Sequence, residues 1–465
     1  MPSSYTWLEY FTWSKQYGDI IHVEVLGKHM LILNSLEAAV ELCQKRSHAY
    51  SDRPLMAMVE LMGWDINLGT MPYGPLWRKH RRSFHRSFGG STIKSYVSLQ
   101  TREVRRMMRR LLSTPEDFFQ HIRLTFAATF MQVTYGIEVK GPDDRYVIAV
   151  EGGVRGFAEA AVPGAYFVDT IPILKYLPVW FPGATFVRKA QEWRKQLHVF
   201  LNEPFVVVKN GMASGTAVSS VCRTALEKVS GSGEDEFITK NTCAMAFAAG
   251  SNTTVSTIQA FFLAMVLHPE IQTKAQEQID NVVGRDRLPD FADRVRLPYV
   301  EAIVKETFRW QPVLPMGVAH QTTADDEYKG YHIPKGATVM VNAWSILNDE
   351  TAYSDPFTYN PERFLNDGQI DRNVRDPEVA AFGFGRRICP GRHIAVDGAF
   401  ITIASILAAF DISHTIDEYG NRIEVEVRMT PGLLSYPEPF KCSIQPRSGA
   451  IPSMIQQSID GDFQD

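Results

Sequence analysis

From Cys243 to Leu267 the chain carries no charged residue. At about 1.5 Å of rise per residue, a helix of that length could cross a bilayer of about 30 Å. The run Gly250-Ser251-Asn252-Thr253-Thr254 sits at its midpoint, however, and a lone span in lipid gains nothing from a polar patch there. A helix buried on all sides inside a large core fits both the length and the patch. The composition supplies such a core, with 45% hydrophobic and 22% charged residues over 465 positions. That length would hold two or three average domains, yet no internal repeat, low-complexity tract or Gly/Ser linker divides it. We therefore read 1–465 as a single domain, with a polar, frayed tail from about 449. A net charge of -4 gives no reason to expect nucleic acid as a partner.

The start of the chain shows neither a signal peptide nor an opening transmembrane run. Next, His22–Val25 and Met30–Leu33 read as a β-hairpin turning at Gly27-Lys28. Helical spacing dominates the rest. Arg102, Arg105, Arg106, Arg109 and Arg110 share one helical face, which suits an acidic docking partner, anionic lipid, or a solvated, neutralised surface. Ala161 to Phe186 is rich in proline and aromatic residues, including Pro163, Tyr166, Trp180 and Phe181. It is too broken for one helix, and reads as a loop covering a cavity or as a surface dipping into lipid. Further helices are expected from Pro269 to Val283, stopped by Gly284, and from about Pro298 to Pro312. Strands are expected at Tyr328–His332 and Thr338–Val341, with a turn at Pro334-Lys335-Gly336. The fold class is mainly α with a minor β region.

The five cysteines are Cys43, Cys222, Cys243, Cys389 and Cys442. An odd number without a C-x-x-C pair argues against a disulfide framework or a structural zinc site. Cys389 stands apart. It lies in Phe382-Gly-Phe-Gly-Arg-Arg-Ile-Cys-Pro-Gly391, between tight-turning glycines, two arginines and the start of an apolar helix. Positive potential of this kind lowers a thiol pKa, so a thiolate is expected. Such a thiolate can be a nucleophile or a metal ligand, and nothing in its spacing identifies a histidine base for the first role.

Phe382-x-x-Gly385-x-Arg387-x-Cys389-x-Gly391 resembles the haem-binding loop of the cytochrome P-450 family. Further segments resemble that family in the same order along the chain: Trp77-x-x-x-Arg81, Ala249-Gly250-Ser251-Asn252-Thr253-Thr254, Glu306-Thr-Phe-Arg309, His320, and Pro361-Glu-Arg363-Phe. The resemblance runs from about Trp7 to Pro446 and is nearest to microsomal fungal members. It implies the cytochrome P-450 fold, with Cys389 as axial ligand of haem b (iron protoporphyrin IX) and Phe382 packed near the sulfur. Trp77, Arg81, His320 and Arg387 would donate to the haem propionates. Glu306, Arg309 and Arg363 would form a buried structural cluster. Gly250 would make room above the iron, and Thr253 would bind dioxygen. Asn252 departs from the family's usual acid, and an amide cannot release a proton.

The resemblance further implies a monooxygenase oxidising a small apolar molecule with O2. Electrons would come from NADPH through a separate reductase docked on basic helices, including Arg78, Lys79 and Arg82. Met56–Met71, Ala246, Gly250, Val313–Val318 and Leu433–Leu434 are the expected pocket segments. Family members usually carry an N-terminal anchor in the endoplasmic reticulum membrane, facing the cytosol. The start of this chain shows none, which leaves a soluble cytoplasmic protein as the alternative, with peripheral contact through Ala161–Phe186. Asn252 also raises two competing readings: use of peroxide or rearrangement of an already oxidised substrate, and haem binding without turnover.

Overall fold

The computed structural model describes residues 4–162, 164–228 and 233–460, so Pro163 lies outside the described residues. Mainly helical with a minor β region, it matches the expected class. The first elements are helix α1 (Thr6–Tyr17) and strands β1 (Ile20–Val25) and β2 (Lys28–Leu33). Then follow α2 (Ala57–Leu61), α3 (Pro75–Phe88), α4 (Val97–Ser113), α5 (Phe118–Tyr135), α6 (Arg145–Ala160) and α7 (Thr185–Ser214). The long α8 (Gly233–Leu267) precedes α9 (Pro269–Val282) and α10 (Pro298–Trp310). Strands β3 (His320–Gln321), β4 (Asp326–Tyr328), β5 (Tyr331–Ile333) and β6 (Thr338–Val341) come next. The chain closes through α11 (Arg392–Ala409), β7 (Phe410–His414), β8 (Cys442–Pro446) and α12 (Ile451–Asp460).

The hairpin forms one residue away from its expected turn. Val25 pairs with Lys28, so the loop is Leu26-Gly27, with φ of 52° and 74°. Two positive φ angles make the tight turn whose twist matches the flanking strands. β2 then pairs in parallel with β6, and β6 antiparallel with β3, giving the order β1-β2-β6-β3. His320 thus sits on an edge strand of this sheet. The expected strand Tyr328–His332 is instead a second hairpin, β4–β5, turning at Lys329-Gly330 with φ of 53° and 81°.

α8 is a core helix, as its polar midpoint requires. It packs against α3, α5, α6, α7, α10 and α11. From Asn241 to Val266 every residue is buried except Ala249, Gly250, Asn252 and Thr253. Gly250 meets α5, because a Cβ there would lie 2.3 Å from the Phe130 ring. Among the described residues, α11 is the one helix long and apolar enough to pass as a span by itself, and 72% of it is buried inside the fold.

The arginine face of α4 is no continuous surface. Arg105 is buried and donates to Ser405 Oγ and Pro289 O. Arg110 donates to Thr125 Oγ1 at 2.7 Å, and burial pushes its guanidinium down to about 10. Arg106 lies between Glu103 and Glu138, Arg102 beside Glu103, and Arg109 alone of the five is exposed. The cause is crowding: α5, α11 and α12 all pack on α4. The tail also departs from expectation. It is not frayed up to Asp460, because Ile451, Ile455 and Ile459 form a stripe at i, i+4 and i+8 that enters the main core.

A buried charge cluster ties α10 to the segment after it. Glu306 accepts from Arg309 through both carboxylate oxygens, at 2.7 and 2.8 Å, and from the Asn360 N–H at 2.8 Å. Arg363 completes it at 3.2 Å, and the Glu306 and Arg309 side chains have no exposed surface. The E-x-x-R reading holds. Arg309→Ala should cost about 3–5 kcal/mol, because it leaves a buried carboxylate without its main partner. Ile455→Ala should cost about 2–5 kcal/mol through a cavity under α12. Urea unfolding midpoints measure both, and an Ile455→Ala protein with wild-type stability would mean that the tail helix is undocked.

Candidate active site

The Cys389 loop is fastened at both ends. Its own N–H donates to Phe382 O at 2.8 Å, and the Phe382 ring packs against Phe308 of α10 at 5.2 Å. Gly385 has φ of +53°, and a Cβ on it would lie 2.4 Å from Cys43 O. Only glycine serves there, since both backbone angle and space exclude a side chain. Beyond the loop, the Gly391 N–H donates to Cys389 Sγ, and α11 begins at Arg392.

The electrostatics of Cys389 differ from expectation. Burial pushes its thiol up, against the lowering effects of the Gly391 N–H, Arg81 and Arg392. The two loop arginines turn elsewhere. Arg387 donates to the carbonyls of Ser51, Leu68 and Met71, and Arg386 to Tyr73 Oη. The protein's own groups therefore favour the thiol over the thiolate at Cys389. A metal ion overrides burial by deprotonating its thiol ligand outright.

α3 presents Trp77 and Arg81 one turn apart, on one face. Trp77 is buried, donates through Nε1 to Leu68 O at 3.2 Å, and has the Arg387 guanidinium 4.5 Å above its ring. Arg81 faces Cys389 and Arg392, and burial lowers its pKa. His320 is buried, with Nδ1 2.7 Å from Tyr50 O. Burial and the charges of Arg53 and Arg387 hold its imidazole well below the usual range, hence neutral. With Nδ1–H on Tyr50 O, His320 donates to an anion only through Nε2 of the imidazolium, which a carboxylate beside it would favour.

Sequence reasoning missed Arg53. It is buried, donates to Gly69 O, Val318 O and Ala319 O, and is pushed down to about 9 by burial and by Arg387. No spacing or periodicity in the chain marks it. Together the buried Arg53 and Arg387 and the half-buried Arg81 concentrate positive charge, and among the described residues no carboxylate forms an ion pair with any of them. Asp52, the acid that acts on Arg53 and Arg387, accepts from the backbone N–H groups of Arg53 and Tyr73 instead. Unpaired buried cations are costly unless an anion joins them. A dicarboxylate cofactor fits this donor set.

On α8 three consecutive side chains turn back onto their own helix. Ser251 Oγ donates to Phe247 O, Asn252 Nδ2 to Ala248 O and Thr253 Oγ1 to Ala249 O, the last two at 3.0 Å. Thr253 thus keeps its oxygen lone pairs free while its proton is engaged. Ala249 and Thr253 are the bared positions of the core helix, whereas Gly250 is filled over by Phe130.

The model of the family described as "Cytochrome P450" matches residues 6–442. The chain belongs to the cytochrome P450 family. Cytochrome P450 monooxygenase COX2 of Coprinopsis cinerea is 46% identical over 99% of this chain and 89% of that protein. Tryptamine 4-monooxygenase of Psilocybe cyanescens is 39% identical over 97% of this chain and 90% of that protein. The fold is similar to that of a zebra fish cytochrome P450 solved with abiraterone, with a TM-score of 0.75 at 24% identity, covering 95% of this chain and 100% of that one. As a cytochrome P450, the protein is a monooxygenase that works with haem iron, O2, a small organic substrate and a redox partner.

Because burial raises the Cys389 thiol, the haem-free protein should alkylate there more slowly at pH 8 than a free cysteine peptide, and faster as pH rises. Mass-spectrometric mapping after iodoacetamide treatment reads the rate; a faster reaction than the peptide would restore the thiolate expectation.

Proposed function

We propose that Cys389 ligates the iron of haem b while Arg53, Trp77, Arg81, His320 and Arg387 hold its carboxylates. The observation that carries this reading is the pair of buried arginines, Arg53 and Arg387, with the half-buried Arg81 beside Cys389, all without carboxylate ion-pair partners among the described residues. Bound there, haem supplies one-electron and oxygen chemistry, with electron density pushed from the thiolate. Phe382 packs near the sulfur, and Thr253 Oγ1 engages dioxygen once it releases Ala249 O. Gly250 serves indirectly, by admitting Phe130 and so setting the position of this turn of α8. The whole chain forms a single catalytic domain.

The substrate is a small apolar molecule. Met58, Met62, Trp64, Ile66, Leu68 and Met71 are buried in the loop expected to meet it. By analogy with the fungal relatives, the reaction belongs to secondary or xenobiotic metabolism. Electrons come from NADPH through a separate reductase. The face of α3 with Arg78, Lys79, Arg82 and Arg86 is exposed and suits an acidic partner, although Lys79 already bonds Glu234. Ala161–Phe186 contacts the cytosolic face of the endoplasmic reticulum membrane. Phe167 is 81% and Trp180 79% exposed on it, which supports lipid contact over a covered loop.

Asn252 favours a second reading, in which peroxide replaces the reductase. Its amide donates to Ala248 O and releases no proton to Thr253. Two measurements separate these readings. The reduced carbon monoxide complex should absorb at the wavelength typical of thiolate ligation, and Cys389→Ser should lose that band while folding; retention of the band sinks the haem assignment. In a system reconstituted with reductase, Asn252→Asp should raise the product formed per NADPH consumed. Unchanged coupling would remove the basis for the peroxide reading.

A further inference from the structure

Away from the cysteine loop, α9 turns one polar face towards α10. Lys274, Glu277, Gln278 and Asn281 fall at i, i+3, i+4 and i+7, which puts them on one side of the helix. With Tyr299 of α10, Glu362, Leu365 and Gly368 they line a cleft that none of the chemistry above uses. Gln278 Oε1 accepts from the Tyr299 N–H at 3.0 Å and so ties the two helices together. Lys274 Nζ bonds the Glu362 carboxylate. Glu277 is exposed and, among the described residues, forms no ion pair. Two carboxylates therefore share one ammonium, and the cleft keeps a net negative charge.

Tyr299 is only 8% exposed, and its hydroxyl has no hydrogen-bond partner in the protein. A buried polar group in that state is unusual and points to an occupant. Burial and the charges of Glu362 and Glu270 push its phenol up, so it stays neutral. In so negative a field the oxygen lone pairs favour a positively charged donor. The positive end of α10 is already met by Gln278 Oε1 and by Glu301 in its first turn. We infer that this cleft binds the –NH3+ group of a small primary amine. An ammonium has three donors and no acceptor, and the cleft offers three acceptors: the Glu277 and Glu362 carboxylates and the Tyr299 hydroxyl. The bond from Lys274 shows that Glu362 takes this chemistry. Half-buried Leu365 gives a short alkyl chain an apolar surface. A metal ion fits less well, because among the described residues no three His, Cys, Asp or Glu groups are placed to hold one. None of the lining residues belongs to the haem site, so the inference stands without that reading.

The test is a ligand-observed NMR titration of the full chain with n-butylammonium chloride at constant ionic strength. Binding should show a Kd on the order of 1 mM, as suits an open cleft. Tyr299→Phe, which removes only the hydroxyl, should weaken binding by about fivefold. Glu277→Gln should weaken it by about tenfold. Lys274→Met should act the other way and tighten binding by about fivefold, because Glu362 is then released to the ligand. Tetramethylammonium carries the same charge without an N–H, so it should bind about tenfold more weakly than butylammonium. Equal binding of the two cations, or unchanged affinity in Tyr299→Phe, would overturn the site. Nα-acetyl-lysine amide presents the same ammonium on a peptide, and tighter binding of it would overturn the free amine in favour of a protein side chain. A urea unfolding midpoint gives the second readout. The Tyr299 hydroxyl makes no bond in the free protein, so Tyr299→Phe should unfold at the wild-type midpoint. A lower midpoint would mean that the hydroxyl already serves the fold, and the premise of an unfilled acceptor would fall.

Discussion

Glu306 is a carboxylate without exposed surface, and its neutralisation governs how the cysteine loop is held. Burying such a charge is tolerable only with excellent geometry around it. Here Arg309 grips both oxygens, Arg363 approaches from the segment beyond, and the Asn360 N–H closes the shell. Each arginine also donates to carbonyls: Arg309 to Leu347, Arg363 to Ser354, Asp355 and Thr358. One acid thus organises several stretches of irregular chain that have few ladder bonds of their own. α10 carries the consequence onward, since Phe308 on it packs against Phe382 at the mouth of the Cys389 loop.

The second constraint is crowding around α8. Helices on every side force close approaches, and glycine answers them where a Cβ would collide. Gly250 under Phe130 is one case. Another lies between α6 and α7, where a Cβ on Gly156 would lie 2.5 Å from the Trp193 ring. The bared positions Ala249 and Thr253 gain meaning from this density. In a helix buried on all sides, a local loss of cover is where a ligand can approach.

Much of this was legible in the residues. The charge-free run with its polar midpoint predicted a core helix, and the spacing of Phe382, Gly385, Arg387, Cys389 and Gly391 carried the family. Glu306 and Arg309 at i, i+3 found their cluster. Two failures shared one cause: charge and polarity were read as exposure. The α4 arginines look like a surface stripe, yet Arg105 and Arg110 serve as internal donors to Ser405 and Thr125. The tail looks polar, yet three isoleucines at helical spacing bury it. Arg53 left no trace at all, since its role arises from where distant carbonyls of Gly69, Val318 and Ala319 meet.

Cys389 shows the same limit in its chemistry. Nearby arginines and a helix start promise a thiolate, but sequence proximity is not electrostatic proximity. Arg387 directs its charge towards Ser51, Leu68 and Met71, and burial of the sulfur then dominates. The remaining helpers, Gly391 N–H, Arg81 and Arg392, orient and moderate without ionising the thiol. On the haem reading proposed above, the loop would supply position and the metal would supply the deprotonation. A raised thiol pKa disfavours the thiolate, which is the form reactive towards oxidants. The same enclosure that raises the thiol also buries the charges of Arg53 and Arg387, with Arg81 half-buried beside the sulfur. Sulfur and arginines alike would be relieved by the one anionic, metal-bearing group proposed for this site.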